Sequence, residues 1–458
     1  MTGRRWRWRT GRVLARVLGL ALAAASVAPN VGVDPASASA PPAPTVPDTP
    51  AGAQLTWFLG AVDSAPLSTA VIDAHFDRQF LAAIDPLKID AALEQLPLSS
   101  APVPVAMVAD DPSTSSLAAL VDFSGTTLEV TLATDAAGLI QFLKLTAHST
   151  VRTWSQLDSR LAALAPGVGF LAARVTKAGS CVPVHQMAAS VPRPTASMFK
   201  LFVLGALAGQ VAAGRVHWNQ ELTVEPSLKS TGSIAGSLQY SPAGTRVTVE
   251  EAATKMISIS DNTAADLLIH LVGRSAVEAQ VHRWSSHAAL DNPFLTTREL
   301  FLLHYADFPD LADRYLALPP AGRLAFLSST VDPLPLDRIA GAPVPRDITS
   351  LEWFASPDDL CRSFAGLQSL ASQRGLAPVG TVLSVNRGSL ALSPAQWRSV
   401  WFKGGSEPGV TTLGYRAETV GGQRVVVIAM LEDPTAALPA STTITLLALV
   451  EAAFALVR

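Results

Sequence analysis

A serine three residues ahead of a lysine, in Pro194-Thr195-Ala196-Ser197-Met198-Phe199-Lys200-Leu201-Phe202-Val203-Leu204, constrains this chain more than any other stretch. Positions i and i+3 of a helix are neighbours, so Ser197 and Lys200 would share one face. The apolar run that follows predicts a strongly apolar helix over 200–213. If Ser197 starts that helix, its hydroxyl lies in the positive field of the helix N-terminus. A desolvated lysine beside it can lose its proton and act as a base. That is a route to a nucleophilic serine without a histidine.

The 458-residue chain is long enough for two or three domains, each with its own core. Its 34 basic and 37 acidic residues nearly balance, and no Lys/Arg-rich run follows the N-terminus, which argues against nucleic acid as a partner. With 16% charged and 49% hydrophobic residues, the composition argues against disorder beyond the N-terminal tail. The histidines (His75, His148, His185, His217, His270, His282, His287 and His304) are scattered, and neither His-Glu-x-x-His nor Cys-x-x-Cys occurs. No metal and no other cofactor is therefore expected. His282 and His287 are read as surface residues.

Residues 1–40 read as an export signal. Arg4, Arg5, Arg7, Arg9, Arg12 and Arg16 form a basic start, and Val17 to Ala28 is an apolar segment too short to span a bilayer. Ala36-Ser37-Ala38 offers a small-x-small cleavage site; an uncleaved anchor is the alternative. Arg4-Arg5 could be a twin-arginine signal, though its surroundings fit poorly. No second segment is long enough to span, so a secreted or cell-envelope location is expected. Such a compartment permits a disulfide between Cys181 and Cys361. A domain of this size does not need one, and the favoured reading is two separate buried thiols.

Residues 41–50 form a stiff Pro-rich linker. A small α+β domain is expected over 51–150. Ile72, Phe76, Phe80 and Ile84 repeat every four residues and predict an amphipathic helix. Short β-like runs follow at Val103–Val108, Leu117–Phe123 and Thr126–Ala133, with turns at Asp110–Ser113 and Gly125. A cone-shaped antiparallel sheet wrapped on a helix would fit this order. A second domain, 152–458, opens with strands at 170–175 and 181–186. It carries helices in the middle, including one from Ser260 to Leu271. It returns to a hairpin, Thr411–Val420 and Arg424–Leu431 around Gly421-Gly422, and a closing helix over 442–457. Such a domain suits a sheet whose strands come from both chain ends, with a helical insertion between them.

Two further elements accompany Ser197 and Lys200. Ser260-Asp261-Asn262 begins 63 residues after Ser197 (260 − 197), and Lys403-Gly404-Gly405-Ser406 begins 206 after it (403 − 197). Each alone is weak, but the ordered set is specific. From about residue 165 to the end, the chain resembles the serine β-lactamase and penicillin-binding superfamily, closest to class A. The flanking sequence Met256 to Leu268 adds to the likeness. The resemblance implies an α/β (α+β) fold, a five-stranded antiparallel sheet beside an all-helical region, with the site between them. It implies Ser197 as nucleophile, Lys200 as its base and Ser260 as the proton carrier to the leaving group. Asn262 would hold Lys200 and the substrate, and Lys403 would face a substrate carboxylate. The backbone N–H groups of Ser197 and Ser406 would form the oxyanion hole, with Gly405 as a backbone device at the strand. Asp261 is read as a buried structural carboxylate. Tyr240 either lines the pocket mouth, as the family's gate aromatic does, or is an ordinary loop residue.

The chain also departs from that pattern. Class A enzymes carry a Glu-x-x-Leu-Asn loop whose glutamate activates the deacylating water, and no such motif occurs here. Asn292–Leu300 resembles the strand or turn that precedes that loop. Residues 301–350 are long and Pro-rich, and Trp353–Leu360 resembles the next helix start, with Ser356 as cap. Glu299 and Glu352 are the only glutamates between Glu278 and Glu407, and neither has the motif's context. Arg298 and Glu299 are read as a structural ion pair. The usual Lys-Thr-Gly is Lys-Gly-Gly, a hydroxyl lost from the β-lactam carboxylate site.

The combination resembles a two-domain family of clavulanic-acid biosynthesis clusters. There a small steroid-isomerase-like domain precedes a class-A-like hydrolase with cephalosporin O-acetyl esterase activity. All four tyrosines lie outside 51–150, so that domain lacks a tyrosine oxyanion hole and reads as a packing, dimerising or substrate-shaping module. The expectation is an exported serine hydrolase acting through an acyl-enzyme, an esterase on β-lactam-like or other small esters with weak or no β-lactamase activity. The alternatives are a D,D-peptidase, a weak class A β-lactamase, or a protein that binds penicillin or peptidoglycan without turnover.

Overall fold

The computed structural model describes residues 45–458 apart from 95, 97–101, 112–114, 124, 125, 148, 232–235 and 340–343. The expected export signal, the first residues of the Pro-rich linker and the Gly125 turn lie outside the described residues. The chain divides into two compact units, Met1–His148 and Ser149–Arg458.

The first unit opens with four helices, α1 (Pro50–Ser64), α2 (Thr69–Asp73), α3 (Arg78–Ala83) and α4 (Pro86–Glu94). Thr49 caps α1 by accepting from the Gly52 N–H at 3.1 Å, and Pro50 suits the first helical position. Strands β1 (Val103–Asp111), β2 (Ser116–Phe123), β3 (Thr126–Thr134) and β4 (Ile140–Ala147) form an antiparallel meander in that order. Along β3, Leu128, Val130 and Leu132 are buried, the period-2 pattern of a sheet with one face on a core. The single helix expected through Ile72, Phe76, Phe80 and Ile84 is in fact two. Phe76 bridges to Ile140, and the Asp77 carboxylate restarts the chain by accepting from the Phe80 N–H. Strand β4 was not anticipated, and Asp110 lies in β1 rather than in a turn.

The second unit begins with α5 (Trp154–Ala162), β5 (Gly167–Val175), β6 (Cys181–Met187) and β7 (Arg193–Pro194). Next come α6 (Lys200–Ala212), β8 (Glu221–Thr223), β9 (Arg246–Thr248), α7 (Val249–Ser258), α8 (Asn262–Val272) and α9 (Arg274–Trp284). Helices α10 (Thr297–Tyr305), α11 (Asp310–Leu316) and α12 (Pro320–Phe326) occupy much of the segment read as long and Pro-rich. Strand β10 (Phe354–Ala355) leads into α13 (Pro357–Ala371) and α14 (Ala377–Ser384). Strands β11 (Trp397–Glu407), β12 (Val410–Thr419) and β13 (Arg424–Glu432) and helix α15 (Ala440–Leu456) complete the chain.

The main sheet is antiparallel in the order β11-β12-β13-β5-β6, so both ends of the unit supply its strands. It is covered on both faces. Val426, Ile428 and Met430 of β13 pack with α6 and α13, while Val425, Val427 and Leu431 pack with α5 and α15. A strand buried on both sides reads as the continuous apolar run seen at 425–431. Helix α6 is buried on every side from Lys200 to Ala208, as the apolar run from Leu201 to Ala208 requires.

Two readings are corrected here. Cys181, at the start of β6, and Cys361, on α13, form a disulfide, with Cα atoms 6.4 Å apart. Helix α13 packs across β6, which joins residues 180 apart in sequence. Glu299 pairs with Arg274 at 2.6 Å rather than with Arg298, whose guanidinium donates to the Lys229 and Leu334 carbonyls. Ser356 caps α13 as expected, accepting from the Asp359 N–H at 3.2 Å. His287 is half-buried against Asp359 at 2.8 Å, and His282 is exposed.

Candidate active site

Ser197 lies in a 3-10 turn, Ala196–Phe199, that runs directly into α6. Ala196 before it has φ 42° and Ser260 has φ 56°, so both serine elements hold a non-glycine residue in the left-handed region. Each such residue costs roughly 1–3 kcal/mol and persists only where its surroundings impose it. Asp261 supplies that constraint for Ser260. Its buried carboxylate caps α8 through the Ala264 N–H at 2.9 Å and accepts from the Ser237 and Leu238 N–H groups at 2.7 and 2.9 Å. It is a structural carboxylate, as read from the sequence.

Strand β11 presents Lys403 and closes on the serine turn at Gly405. A Cβ there would stand 2.5 Å from Ser197 N and 2.7 Å from Thr195 O, so only glycine allows the strand this close. From the next strand, the Thr412 hydroxyl donates to the Thr195 carbonyl at 3.0 Å.

Lys200 Nζ lies 2.9 Å from Ser197 Oγ, 3.0 Å from Ser260 Oγ, 2.8 Å from the Ser260 carbonyl and 2.6 Å from Asn262 Oδ1. The Asn262 amide is oriented by donating to the Thr231 carbonyl at 2.6 Å. Lys403 Nζ lies 3.0 Å from the same Ser260 Oγ and 2.6 Å from the Gly404 carbonyl. Ser197, Lys200, Ser260, Asn262 and Lys403, 206 residues apart at the extremes (403 − 197), thus form one hydrogen-bonded cluster.

Burial lowers the Lys200 pKa to about 7; Asp266, Asp261 and Glu352 oppose that shift. Burial also pushes Lys403 well below the usual lysine range, with repulsion from Lys200 second. Asp266 on α8, which sequence reasoning did not single out, is raised by burial to about 7 and anchors α10 by accepting from the Thr297 and Arg298 N–H groups.

These groups open onto a groove of ≈ 370 Å³. Ser197, Ser260, Asn262, Lys403, Gly405 and Ser406 all line it. Tyr240 does not; it is 80% exposed on a separate 3-10 turn, Leu238–Tyr240, so the gate reading gives way to the ordinary loop residue. Two carboxyl groups that sequence reasoning passed over, Glu352 and Glu407, also line the groove. Glu352 precedes Trp353, whose ring stacks on Phe199 with centroids 3.7 Å apart, and this stacking ties the segment to the serine turn. Among the described residues, no group of His, Cys, Asp or Glu is arranged to hold a metal ion.

Residues 164–309 match the model of the beta-lactamase enzyme family, and residues 46–140 match one described as ORF 12 gene product N-terminal. No curated protein matches the chain. Among solved structures, PBP-A is similar at 20% identity, over 68% of this chain and 99% of that one, with a TM-score of 0.44. A beta-lactamase from Sphaerobacter thermophilus is 22% identical over 65% of this chain and 97% of its own, also at 0.44. One from Chitinophaga pinensis is 16% identical over 66% and 97%, again at 0.44. Ser197, Lys200, Ser260 and Asn262 all fall within residues 164–309, and that part of the chain is similar to the beta-lactamase enzyme family.

Proposed function

We propose that this protein is an exported serine hydrolase that works through an acyl-enzyme on Ser197, and that its substrates are small esters, β-lactam-like ones included. The observation that carries the reading is the 2.9 Å approach of a fully buried Lys200 to Ser197 Oγ. With its pKa lowered to about 7, Lys200 is neutral in a large fraction of molecules at neutral pH. It can then accept the Ser197 proton as Oγ attacks the carbonyl. Ser260 Oγ, shared by Lys200 and Lys403, is placed to pass that proton to the leaving oxygen. The Ser197 and Ser406 N–H groups would stabilise the oxyanion, a contribution of about 3 kcal/mol for each such donor.

The esterase reading draws on what the site lacks. The Lys-Gly-Gly segment has no hydroxyl at the position where the family's threonine receives a β-lactam carboxylate, and no Glu-x-x-Leu-Asn motif is present. An uncharged ester makes no demand on the missing hydroxyl. Intact mass after incubation with penicillin G and with p-nitrophenyl acetate tests the reading. An adduct on Ser197 that is absent in Ser197→Ala, with steady ester turnover, supports it. An adduct without turnover favours a penicillin-binding protein.

A further inference from the structure

Asn262 serves the cluster in only one of its two amide orientations. Its Oδ1 lies 2.6 Å from Lys200 Nζ, and its Nδ2 donates to the Thr231 carbonyl at 2.6 Å. Turned by half a revolution, the amide would set N–H donors against the lysine and its oxygen against a carbonyl. The Thr231 carbonyl therefore decides which atom Lys200 meets, and the residues that hold Thr231 control that choice.

Thr231 follows Ser230 in the loop after the 3-10 turn Pro226–Leu228. Ser230 is 1% exposed and is gripped from two helices. Its N–H donates at 3.0 Å to Oγ1 of Thr263, the residue after Asn262 on α8. Its Oγ lies 2.7 Å from Thr297 Oγ1, at the start of α10. The same Thr297 oxygen lies 3.3 Å from the Asn262 carbonyl oxygen. One hydroxyl thus touches both the asparagine's own backbone and the residue just ahead of its amide's acceptor.

Thr297 is itself buried and fixed. Its N–H donates to Asp266 Oδ1 at 2.7 Å, and the Arg298 N–H donates to Oδ2 at 2.9 Å. Asp266 stands about one turn beyond Asn262 on α8. The Arg298 guanidinium donates to the Lys229 carbonyl at 3.1 Å, so α10 holds both Lys229 and Ser230. The bonds close a buried ring through α8, α10 and residues 229–231. Deleting one hydroxyl from such a ring leaves its partner unsatisfied and frees the loop to shift. Neither Ser230 nor Thr297 lines the groove, so their influence on the chemistry passes through Asn262.

We propose that Ser230 and Thr297 are positioning residues for acylation: their hydroxyl contact fixes Thr231 and thereby turns the Asn262 oxygen to Lys200. The proposal rests on the acyl-enzyme reading above and adds to it the device that sets the amide.

Time-resolved intact mass of the full chain with penicillin G and with p-nitrophenyl acetate tests this through the rate of Ser197 adduct formation. Valine matches the shape of threonine without its hydroxyl. Thr297→Val and Ser230→Ala should each slow adduct formation about tenfold, within the range of couplings in one hydrogen-bonded network. Thr297→Ser, which keeps the hydroxyl, should form the adduct at the wild-type rate. Added to Asn262→Ala, Thr297→Val should cause no further loss, because the residue it acts through is gone. A wild-type rate in Thr297→Val overturns the proposal. So does a tenfold loss on top of Asn262→Ala, which would mark a merely structural role. If Thr297→Val does not fold, Ser230→Ala, alone and added to Asn262→Ala, decides by the same criteria. A wild type that forms no adduct with either donor overturns the acyl-enzyme reading itself, and the positioning role with it.

Discussion

Lys200 and Lys403 direct their Nζ atoms at one hydroxyl oxygen, each 3.0 Å from Ser260 Oγ. Two ammonium groups on a single oxygen repel each other, and both lysines are shifted downward, by burial foremost. The cluster thus favours a state in which at least one amine is neutral and can take a proton.

Acylation should therefore depend on pH through Lys200. Its neutral form is the base, so the rate rises with pH through about 7 and levels above it. Lys200→Arg, which cannot lose its proton, should abolish acylation while the fold persists. The rate of Ser197 adduct formation between pH 5 and 9 checks this, and a flat profile would contradict it.

The Cys181–Cys361 bridge closes a loop 180 residues apart in sequence. Loop-closure entropy puts its contribution at up to about 5 kcal/mol. A Cys181→Ala, Cys361→Ala double variant, or the reduced protein, should unfold at clearly lower urea concentration. An unchanged midpoint would show that the bridge adds nothing.

Gly405→Ala should damage the site more than the fold. The added Cβ meets backbone atoms of Thr195 and Ser197, which cannot swing away as a side chain tip can. Parting strand and turn moves the Ser197 and Ser406 N–H groups, and the loss of one such donor costs about 100- to 1,000-fold in rate. Adduct formation and far-ultraviolet circular dichroism, measured together, separate the two effects.

Tyr240→Ala should leave ester turnover and adduct formation unchanged, because the ring is exposed and forms no part of the groove. A large rise in KM would restore Tyr240 to the substrate's path.

The parts of the site legible in the sequence are those tied to local geometry. Ser197 and Lys200 lie one turn apart, Asp261 caps the helix that Asn262 begins, and Lys403-Gly404-Gly405 sits on a strand edge. Each leaves a short, spaced signature. Glu352, Glu407 and Asp266 leave none, because their roles arise from which distant segments pack together and how dry that packing is. Cys361 met Cys181, and Glu299 met Arg274 rather than its neighbour, for the same reason. The β12–β13 hairpin was legible because the Gly421-Gly422 turn joins its strands, whereas the five-stranded sheet was what the family resemblance implied. The break at Phe76 was not, since an i, i+4 apolar spacing persists across two helices whose join is set by a bridge to Ile140.

The most direct test of the account is intact mass of the wild-type protein at successive times after mixing with an activated ester. A single acyl adduct, mapped to Ser197, that forms and then disappears as product accumulates is the predicted result. Ester hydrolysis that continues unchanged in Ser197→Ala, or no adduct with any acyl donor, would contradict it.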